Sequence, residues 1–381
     1  AHHFGHSTGP AHWPYTHGAS DCTGVDNFSQ YITQSGKVMA QGYPRAGHQN
    51  GGSYYHSYFA ELNVQHSDWW GGSDQNEGGY KDNRRSRLAK NWRKPQHTPR
   101  CVQLISHSNA SGFMLDETGT VYKTGEGSNG EMGTGNTQGD VQTWFWVQGF
   151  EDKRIIKISV WPWDQNNHHC MALDEEGNVW TWGYNDQGQI GDGRTQNKTA
   201  PYRIPQKYFD NEKVIDIVTS QRSSYARTAS DNLYAWGNND NGQLGDNTTT
   251  DKYRPVKMAG WDPAANNGIA VWQACGQSSE SWFMILDGNG YLWSTGQNNY
   301  GQFCNATTTN LSQLTKSETA PNGDIVDFWS IYWNGYKTTY MRHKDGRTFA
   351  CGHSGGYYIR GDGATGSIST PAEVDKDKNL R

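Results

Sequence analysis

The sequence predicts an all-β fold, and its composition, internal repeats and short hydrophobic runs all support this prediction. The chain has 381 residues, of which 17 are Trp, 21 are Tyr and 11 are Phe, so aromatic rings can supply the core. The formal net charge is only −5, whereas disordered chains combine few aromatic residues with a high net charge. No apolar run approaches the roughly 18 residues that a membrane helix needs. We therefore expect one folded unit over residues 1–381, without a membrane span.

Four segments repeat one pattern, and each breaks at a glycine that we call the anchor. They are VYKTGEGSNGEMGTG (121–135), VWTWGYNDQGQIGDG (179–193), LYAWGNNDNGQLGDN (233–247) and LWSTGQNNYGQFCNA (292–306). Two weaker copies complete the set of anchors, which are Gly42, Gly125, Gly183, Gly237, Gly296 and Gly352. Upstream of the anchors lie pairs of strand-forming runs around a Gly turn, which predict β-hairpins.

Two further strands complete each repeat. A run with period-two alternation, such as 155–159 or 214–218, precedes the hairpin. Before it, Pro201, Pro255 and Pro371 open short extended segments, which we expect to be outermost because Pro is tolerated at a sheet edge. Sheets of four strands that are apolar on both faces have to pack face to face, and a radial arrangement achieves this. The sequence therefore predicts a β-propeller of four-stranded blades.

The anchor spacing predicts the number of blades. Successive anchors are 83, 58, 54, 59 and 56 residues apart, and 71 residues join the last anchor to the first through the termini. Because none of these intervals can hold two blades, six blades are expected if the ring closes. Residues 371–374 are predicted to be the closing strand, which adds a missing outer strand to the first blade.

Two copies of the repeat resemble the signature of a known family. The runs WGYNDQGQIGD (182–192) and WGNNDNGQLGD (236–246) resemble the regulator of chromosome condensation repeat, and His169, four residues before Leu173, also matches its pattern. The resemblance implies a β-propeller, for which seven blades are usual. Similar propellers include an exchange factor of a nuclear GTPase, a plant ultraviolet photoreceptor and a bacterial inhibitor of β-lactamase. The shared property that the resemblance implies is protein binding through blade-edge loops. The chain lacks the photoreceptor's GWRHT motif, which argues against light sensing.

The residues of the repeat itself are interpreted as structural. Glycines such as Gly183 and Gly188 are expected to supply positive φ angles, and the Asn side chains to cap turns. Trp182 and Trp236 are expected to pack between blades. A pattern that recurs in every blade is more consistent with folding than with one functional site.

Catalytic, cofactor and metal sites are not expected. The two closest cysteines are 29 residues apart, which excludes the CxxC spacing of zinc and redox sites. Cys101, Cys170 and Cys351 lie in strand-like runs, where buried free thiols are the expectation, while bonding between distant pairs stays open. The G-x-S-x-G sequences around Ser7 and Ser354 lack the following helix of a nucleophile elbow. The His-rich first 17 residues are interpreted as an arm, because no supporting carboxylate or Cys spacing accompanies them.

Aromatic residues and one basic stretch are the candidate binding residues. The range 43–100 is predicted to contain a blade insertion, and its segment 81–100 holds eight Lys or Arg against one acid, Asp82. Such a rim loop can attract phosphates or an acidic partner, although nucleic-acid binding is not expected because the whole chain is acidic. Exposed loop aromatics mark protein or sugar contacts, and packing between blades is the alternative. The candidates are Trp69, Trp70, Arg84, Arg85, Trp144, Trp146, Trp161, Trp163, Trp329 and Trp333.

Arginines in place of core residues provide a further candidate. Ten residues before the anchor, four repeats carry Ile or Leu, whereas Arg227 and Arg342 hold this position in the other two. Because an unpaired buried charge is costly, either the strand register shifts or each guanidinium faces a wet channel and finds an acid. The shortened turn at 230–232 favours a register shift at Arg227. Arg342 is therefore the candidate for a functional residue at the channel or rim.

The predicted function is that of a non-enzymatic protein-interaction or structural propeller that presents aromatic and polar loops to partner subunits. The richness in Asn, Gly, Thr and aromatic residues favours an extracellular, surface or viral particle assembly. One alternative is a carbohydrate-binding adhesin or receptor-binding protein. The other is a guanine-nucleotide exchange regulator of a small GTPase.

Overall fold

The structure, a computed structural model, describes residues 19–25, 28–33, 38–42, 56–61, 101–107, 111–161, 167–319, 321, 323–333, 335–354 and 360–374. Within these ranges the chain forms six antiparallel sheets of four strands. Sheets 1 to 3 contain β1 (Ala19–Val25), β2 (Phe28–Thr33), β3 (Val38–Gly42), β4 (His56–Glu61), β5 (Cys101–His107), β6 (Ser111–Asp116), β7 (Val121–Gly127), β8 (Gln138–Trp146), β9 (Ile155–Val160), β10 (His169–Asp174), β11 (Val179–Gly183) and β12 (Lys198–Arg203). Sheets 4 to 6 contain β13 (Val214–Thr219), β14 (Ser223–Thr228), β15 (Leu233–Gly237), β16 (Lys252–Lys257), β17 (Ile269–Cys275), β18 (Trp282–Asp287), β19 (Leu292–Gly296), β20 (Leu311–Lys316), β21 (Ile325–Trp333), β22 (Tyr336–His343), β23 (Thr348–His353) and β24 (Ser367–Glu373).

The sheets are arranged around an axis. Strands pair in chain order within each sheet, and from sheet 1 to sheet 6 the first strand of each sheet lies beside the first strand of the next. Trp161, which follows β9, shares a buried cluster with Trp282 of sheet 5 and Tyr332 of sheet 6, so the sheets curve round a common centre. This is the predicted β-propeller. We call the end of the propeller where first and third strands finish the upper end, and the opposite end, with the turns between second and third strands, the lower end.

The outermost strands follow the hairpin with which they pair. All six anchors lie within the last three residues of a third strand, and Pro201, Pro255 and Pro371 lie in outermost strands, as the repeats predict. However, β12 pairs with β11 and β24 pairs with β23, in each case with the third strand before it. Sheet 1 has its own outermost strand, β4. The prediction that 371–374 closes the first blade is therefore wrong, because a tandem repeat defines a period without defining where each unit begins.

Buried asparagines organise the loops at the upper end. The side chain of Asn239 is buried, and its Nδ2 donates to the carbonyls of Thr248 and Thr250 at 3.0 and 3.1 Å. Its Oδ1 accepts the backbone N–H of Leu244 at 2.9 Å. Asn185 and Asn298 make equivalent bonds in sheets 3 and 5. The interpretation of these asparagines as structural is confirmed.

The glycines and tryptophans of the repeat also have structural roles. Gly183 and Gly188 have φ angles of 96° and 79°, a region that favours glycine. Trp182 and Trp236 are buried, and their Nε1 atoms donate to carbonyls of the preceding sheet, those of Glu131 and Gln189, at 2.9 and 2.8 Å. Both tryptophans therefore pack between sheets as expected.

One backbone hydrogen bond recurs between neighbouring sheets. The N–H of the residue ten positions after an anchor donates to the carbonyl of the outermost strand of the next sheet. We call this the inter-sheet bond, and it joins Gly135 to Thr199 (2.7 Å), Gly193 to Tyr253 (2.8 Å), Asn247 to Ser312 (2.7 Å) and Ala306 to Ser369 (2.9 Å). It connects sheets 2 to 6 in series.

The cysteines have two different states. Cys101 and Cys170 are buried free thiols, as expected, and Cys275 is a third. Cys351, predicted to be free, instead forms a disulfide with Cys304, which links sheet 6 to the upper loop of sheet 5. Among the described residues, no helix is long and apolar enough to cross a membrane.

Candidate interaction surface

Most of the aromatic candidates lie in strands or in the core. Trp144 and Trp146 are in β8, and Trp329 and Trp333 are in β21, so their prediction as loop residues is wrong. Trp161 is 1% exposed and packs in the core. It was expected to be exposed because a proline follows it, but its ring packs against residues of sheets 5 and 6.

The remaining candidates lie outside the described residues. These are Trp69, Trp70, Arg84, Arg85 and Trp163, together with the basic segment 81–100. Of the described aromatics, the half-buried Trp329 stacks on Tyr340 within sheet 6, with ring centroids 5.3 Å apart.

The two arginines in core positions both find acids. Arg342 lies near the lower end and pairs with Asp327 of the neighbouring strand, with Nη2 and Oδ2 3.0 Å apart. Arg227 pairs with Asp231 at 2.6 Å and donates to the carbonyl of Ile269 at 3.1 Å. Arg227 pairs with Leu233 across the hairpin just as Leu173 pairs with Val179, so the predicted register shift is wrong. Ion pairing, with no change of register, accommodates this guanidinium.

Three stacked rings join sheets 5 and 6 at the upper end. Tyr300, in the upper loop of sheet 5, stacks on His353 with ring centroids 4.7 Å apart, and Tyr336 stacks on the same imidazole at 5.1 Å. The Nδ1 of His353 is 2.8 Å from the Oγ of Ser367. All three rings are half-buried. We call Tyr300, Tyr336 and His353 the aromatic stack.

A buried lysine and a half-exposed glutamate adjoin the aromatic stack. The side chain of Lys337 is fully buried and that of Glu280 is 44% exposed, with Nζ and Oε2 3.2 Å apart. Nζ also donates to the side-chain oxygens of Gln297 and Asn299, and it lies 5.1 Å from the centroid of the Tyr300 ring. The lysine thus links the aromatic stack to the glutamate.

Three titratable groups at this surface have shifted pKa values. Burial lowers the pKa of Lys337, and the carboxylate of Glu280 opposes that shift. Tyr332, whose hydroxyl donates to Oε2 of Glu280 at 3.3 Å, has its pKa raised to about 12, first by burial and then by the acid's negative charge. Burial and the positive charge of Arg360 lower the pKa of His353. The imidazole of His353 is therefore uncharged near neutral pH, and Glu280 is the exposed acidic residue beside the stack.

Sequence reasoning missed this surface because its residues belong to different repeats. Tyr300 is four residues after its anchor and His353 is one after its own. The equivalent residues of sheets 3 and 4, Gln187 and Asn238, form an ordinary amide hydrogen bond of 3.2 Å. The signal that could have revealed the surface is this departure from the repeat at two positions that face each other across a junction. Among the described residues there is no group of three metal-ligating side chains.

Comparisons with known proteins identify the repeat. A family model described as the regulator of chromosome condensation (RCC1) repeat matches residues 176–226 and 230–279, and a second model of the same repeat matches 156–189 and 214–243. Residues 156–279 therefore contain regulator of chromosome condensation repeats. The fold of the chain is also that of solved RCC1 propellers.

Relatives of this RCC1-repeat chain have varied activities. Human E3 ubiquitin-protein ligase HERC2 is 32% identical over 161 residues, which are 41% of this chain and 3% of the ligase. The ultraviolet-B receptor UVR8 of Arabidopsis thaliana is 28% identical over 167 residues, which are 43% of this chain and 36% of the receptor. The matched region therefore spans only a minor part of these relatives.

Solved structures of RCC1-like propellers match most of the chain. Human WBSCR16 has a TM-score of 0.64 at 18% identity, with 93% of this chain and 81% of that chain covered. Yeast RCC1 (Prp20), solved with Kap60 bound, has a TM-score of 0.64 at 17% identity, with coverage of 93% and 74%. Prp20p from Saccharomyces cerevisiae, whose structure is described with its binding to Gsp1p and histones, has a TM-score of 0.63 at 18% identity, with coverage of 93% and 76%. At these identities the likeness establishes the fold alone.

Proposed function

We propose that this RCC1-repeat propeller is a non-enzymatic protein-interaction scaffold that binds a partner protein at the aromatic stack and Glu280. The observation that carries the proposal is the stacking of His353 between Tyr300 and Tyr336 across the junction of sheets 5 and 6. Aromatic side chains are enriched in the cores of protein interfaces. Here the rings are already held by their mutual stacking, so binding a partner costs little side-chain entropy.

The charges beside the stack favour a partner that donates hydrogen bonds. Lys337 is fully buried and occupied by Glu280, Gln297 and Asn299, so it presents no positive charge to solvent. Glu280 is 44% exposed and can accept further bonds. A partner segment with an exposed amide or a basic side chain beside an apolar surface fits this arrangement. Histones and Kap60, named with yeast RCC1 propellers, are proteins, which agrees with a protein partner.

Site-specific photo-crosslinking tests this proposal with a matched control. Asn299 and Asp240 hold the same repeat position, three residues after their anchors, and both are exposed. A photo-crosslinking residue at 299 is expected to capture a defined partner, and the Tyr300→Ser/His353→Asn variant is expected to lose it. The same residue at 240 is expected to capture none. Equal capture at both positions, or capture that survives loss of the stack, would contradict the proposal.

Guanine-nucleotide exchange is the second candidate, and the fold likeness to yeast RCC1 favours it. Its test is the release of a fluorescent guanine nucleotide from a panel of small GTPases, with and without the protein. Acceleration that depends on Tyr300 would make the partner a GTPase. The carbohydrate alternative depended on exposed tryptophans, whereas Trp161 is buried and Trp329 is half-buried and stacked on Tyr340. The extracellular, surface or particle setting stays a prediction from composition.

A further inference from the structure

The first strand of each sheet contains a β-bulge at the same place. In sheet 3, Leu173 pairs with Lys157 and Asp174 pairs with Ile155, so Ile156 has no partner across the ladder. The same one-residue shift occurs between the first and third residues of the first strand in the other five sheets. Bulges re-aim side chains and are conserved architectural features when they recur. The extra residue is always the second of its strand, at the lower end.

Valine or isoleucine side chains occupy the bulge in four of these sheets and are exposed. They are Val102 (52% exposed), Ile156 (44%), Ile215 (42%) and Val326 (50%). In the described part of the chain, the only other large hydrophobic side chain with such exposure is Tyr253. Single exposed hydrophobic residues need no explanation, but these four share one position of the repeat. We call these four residues the apolar collar.

Two of the collar residues, Ile156 and Ile215, lie at one level around the axis. Lys157 and Asp216, which directly follow Ile156 and Ile215, form an ion pair between sheets 3 and 4. Asp216 also accepts the Nε1–H of Trp272 in sheet 5 at 2.8 Å. Because these bonds hold the first strands in register at the level of the bulges, neighbouring collar side chains are held in register with one another.

Exposed ion pairs surround the collar at the lower end. In each of these pairs both members are between 29% and 63% exposed, and they are Lys153–Glu176, Arg154–Glu175, Arg203–Glu151, Lys344–Asp324 and Arg347–Asp345. Upper-end pairs such as Lys198–Asp192 and Lys252–Asp246 instead bury the acid, at 4% and 8%. The lower end therefore presents exposed aliphatic side chains among ion pairs of both charges, a mixture of apolar and charged groups that protein interfaces contain.

We infer that the lower end is a self-association surface, on which a second copy of this chain docks face to face, collar against collar. A two-fold interface places the same patch of both copies in contact, so it requires a surface that complements itself. Paired positive and negative charges satisfy this requirement, because each acid can meet a base of the other copy. A partner with charge of one sign would meet repulsion around the collar. Four aliphatic side chains cover less than the roughly 800 Å² per partner of a standard interface, so the charged periphery takes part.

Sedimentation measurements at increasing protein concentration test this inference. At about 0.15 M ionic strength and from about 1 to about 100 µM protein, we expect a reversible monomer–dimer equilibrium. The Ile156→Lys/Ile215→Lys variant places four ammonium groups at the centre of the dimer, and we expect its dissociation constant to rise at least about tenfold. Val102→Lys/Val326→Lys, in sheets 2 and 6, is expected to have the same effect. These side chains are exposed, so both variants are expected to fold, which thermal melting by circular dichroism checks.

The chain offers a matched control for added charge. Tyr253 is 44% exposed, like Ile156, but lies in the outermost strand β16, so Tyr253→Lys is expected to leave the dimer unchanged. A wild-type protein that stays monomeric up to about 100 µM overturns the inference. So does a dimer that survives in both collar variants, or one that Tyr253→Lys dissociates equally well. Because the aromatic stack lies at the upper end, these results do not depend on the proposed partner site.

Discussion

The junction between sheets 3 and 4 and the junction between sheets 5 and 6 contain the same inter-sheet bond, from Gly193 to Tyr253 and from Ala306 to Ser369, at 2.8 and 2.9 Å. Their side chains are different. Trp236 donates across the first junction, whereas the equivalent Cys351 forms a disulfide across the second. The comparison indicates that the backbone bond joins neighbouring sheets whatever the side chains are. The side chains at a junction can therefore differ, and those at one junction can form a binding surface.

The loops behind the two junctions also reach one geometry by different chemistry. In sheet 4, Asn239 binds two loop carbonyls and Leu244 fills the core. In sheet 6, Ser354 takes the place of the asparagine and the fully buried Arg360 takes the place of the leucine. The Nη1 of Arg360 donates to the carbonyls of Gly352 and Gly366 at 3.0 and 2.7 Å. The guanidinium of Arg360 thus donates hydrogen bonds to carbonyls in sheet 6, as the amide of Asn239 does in sheet 4.

Among substitutions in these two loops, Arg360→Leu should have the largest effect on the free energy of unfolding. It restores the residue type of sheet 4 but removes the donor that Arg360 gives to the carbonyls of Gly352 and Gly366, and it leaves Asp362 without the Nε that lies 2.7 Å from it. Since removing one partner of a buried ion pair is strongly destabilising, we expect the free energy of unfolding to fall by about 4 kcal/mol. Urea denaturation measures it. Ser354→Asn added to this variant should recover part of the loss, and a change below about 1 kcal/mol would show that the guanidinium is not structural.

Asn239→Ala should have the next largest effect. It leaves the carbonyls of Thr248 and Thr250 and the N–H of Leu244 without their partner, and we expect a loss of about 3 kcal/mol in the free energy of unfolding. Ser354→Ala is the matched variant in sheet 6. It removes one long contact, 3.4 Å to the N–H of Arg360, and should cost less than about 1 kcal/mol. Equal losses in urea denaturation would mean that the two loops are held in the same way.

Acid should weaken the junction of sheets 3 and 4. His169 is fully buried between Ser224 and Gln221, and burial lowers its pKa to about 4. Because the folded pKa lies below the unfolded value of about 6.5, this stabilisation is complete above pH 6.5 and is lost as the pH falls toward 4. At pH 5 the loss should be about 2 kcal/mol. The equivalent residue in sheet 5, Trp282, does not titrate.

His169→Gln isolates this contribution. Other groups also titrate in acid, so the measurement is the difference in free energy of unfolding between the wild type and the variant at pH 7 and at pH 5. That difference should shrink by about 2 kcal/mol at the lower pH. His353 has its pKa lowered as well, so His353→Gln should change the pH dependence in the same direction. If the free energy of unfolding depended on pH in the same way in the wild type and in His169→Gln, His169 would not be the cause of the loss in acid.

The smallest effect is expected at the inter-sheet bond itself. Ala306 has a φ angle of 63°, where its equivalent is Gly193 with a φ angle of 82°. An alanine in this region is strained, so Ala306→Gly should stabilise the protein by about 0.5–1 kcal/mol, in spite of the greater freedom of glycine in the unfolded chain. Gly193→Ala should destabilise it by a similar amount. A thermal melt of both variants checks the opposite signs.

What could be predicted from the sequence is what recurs. The anchors, the hairpins, the positive φ at Gly183 and the packing of Trp182 between sheets follow from a pattern present in several copies. The sequence could not predict which hairpin each outermost strand pairs with. An outermost strand such as β12 lies between two hairpins of similar sequence, and it could pair with either one. The burial of Trp161 also escaped prediction, because the neighbours that cover it come from sheets 5 and 6.

The interaction surface was the least predictable feature. Tyr300, Tyr336 and His353 are ordinary residues in their own segments, and only the closure of sheets 5 and 6 brings their rings together. The predicted loop aromatics failed for a related reason. The positions of Trp144 and Trp329 in strands depended on where each strand ends, and periodicity alone does not determine this.

The inter-sheet bond has a consequence for how the protein responds to force. In β24, Ser369 accepts a hydrogen bond from Ala306 while the strand pairs with β23 on its other side. Tension applied at the last strand must therefore break bonds to two sheets, and part of the load passes to sheet 5. From sheet 5 the same kind of bond transmits it to sheet 4 and on to sheet 3. Pulling should therefore produce one large extension at high force, in place of a series of small steps as individual sheets detach.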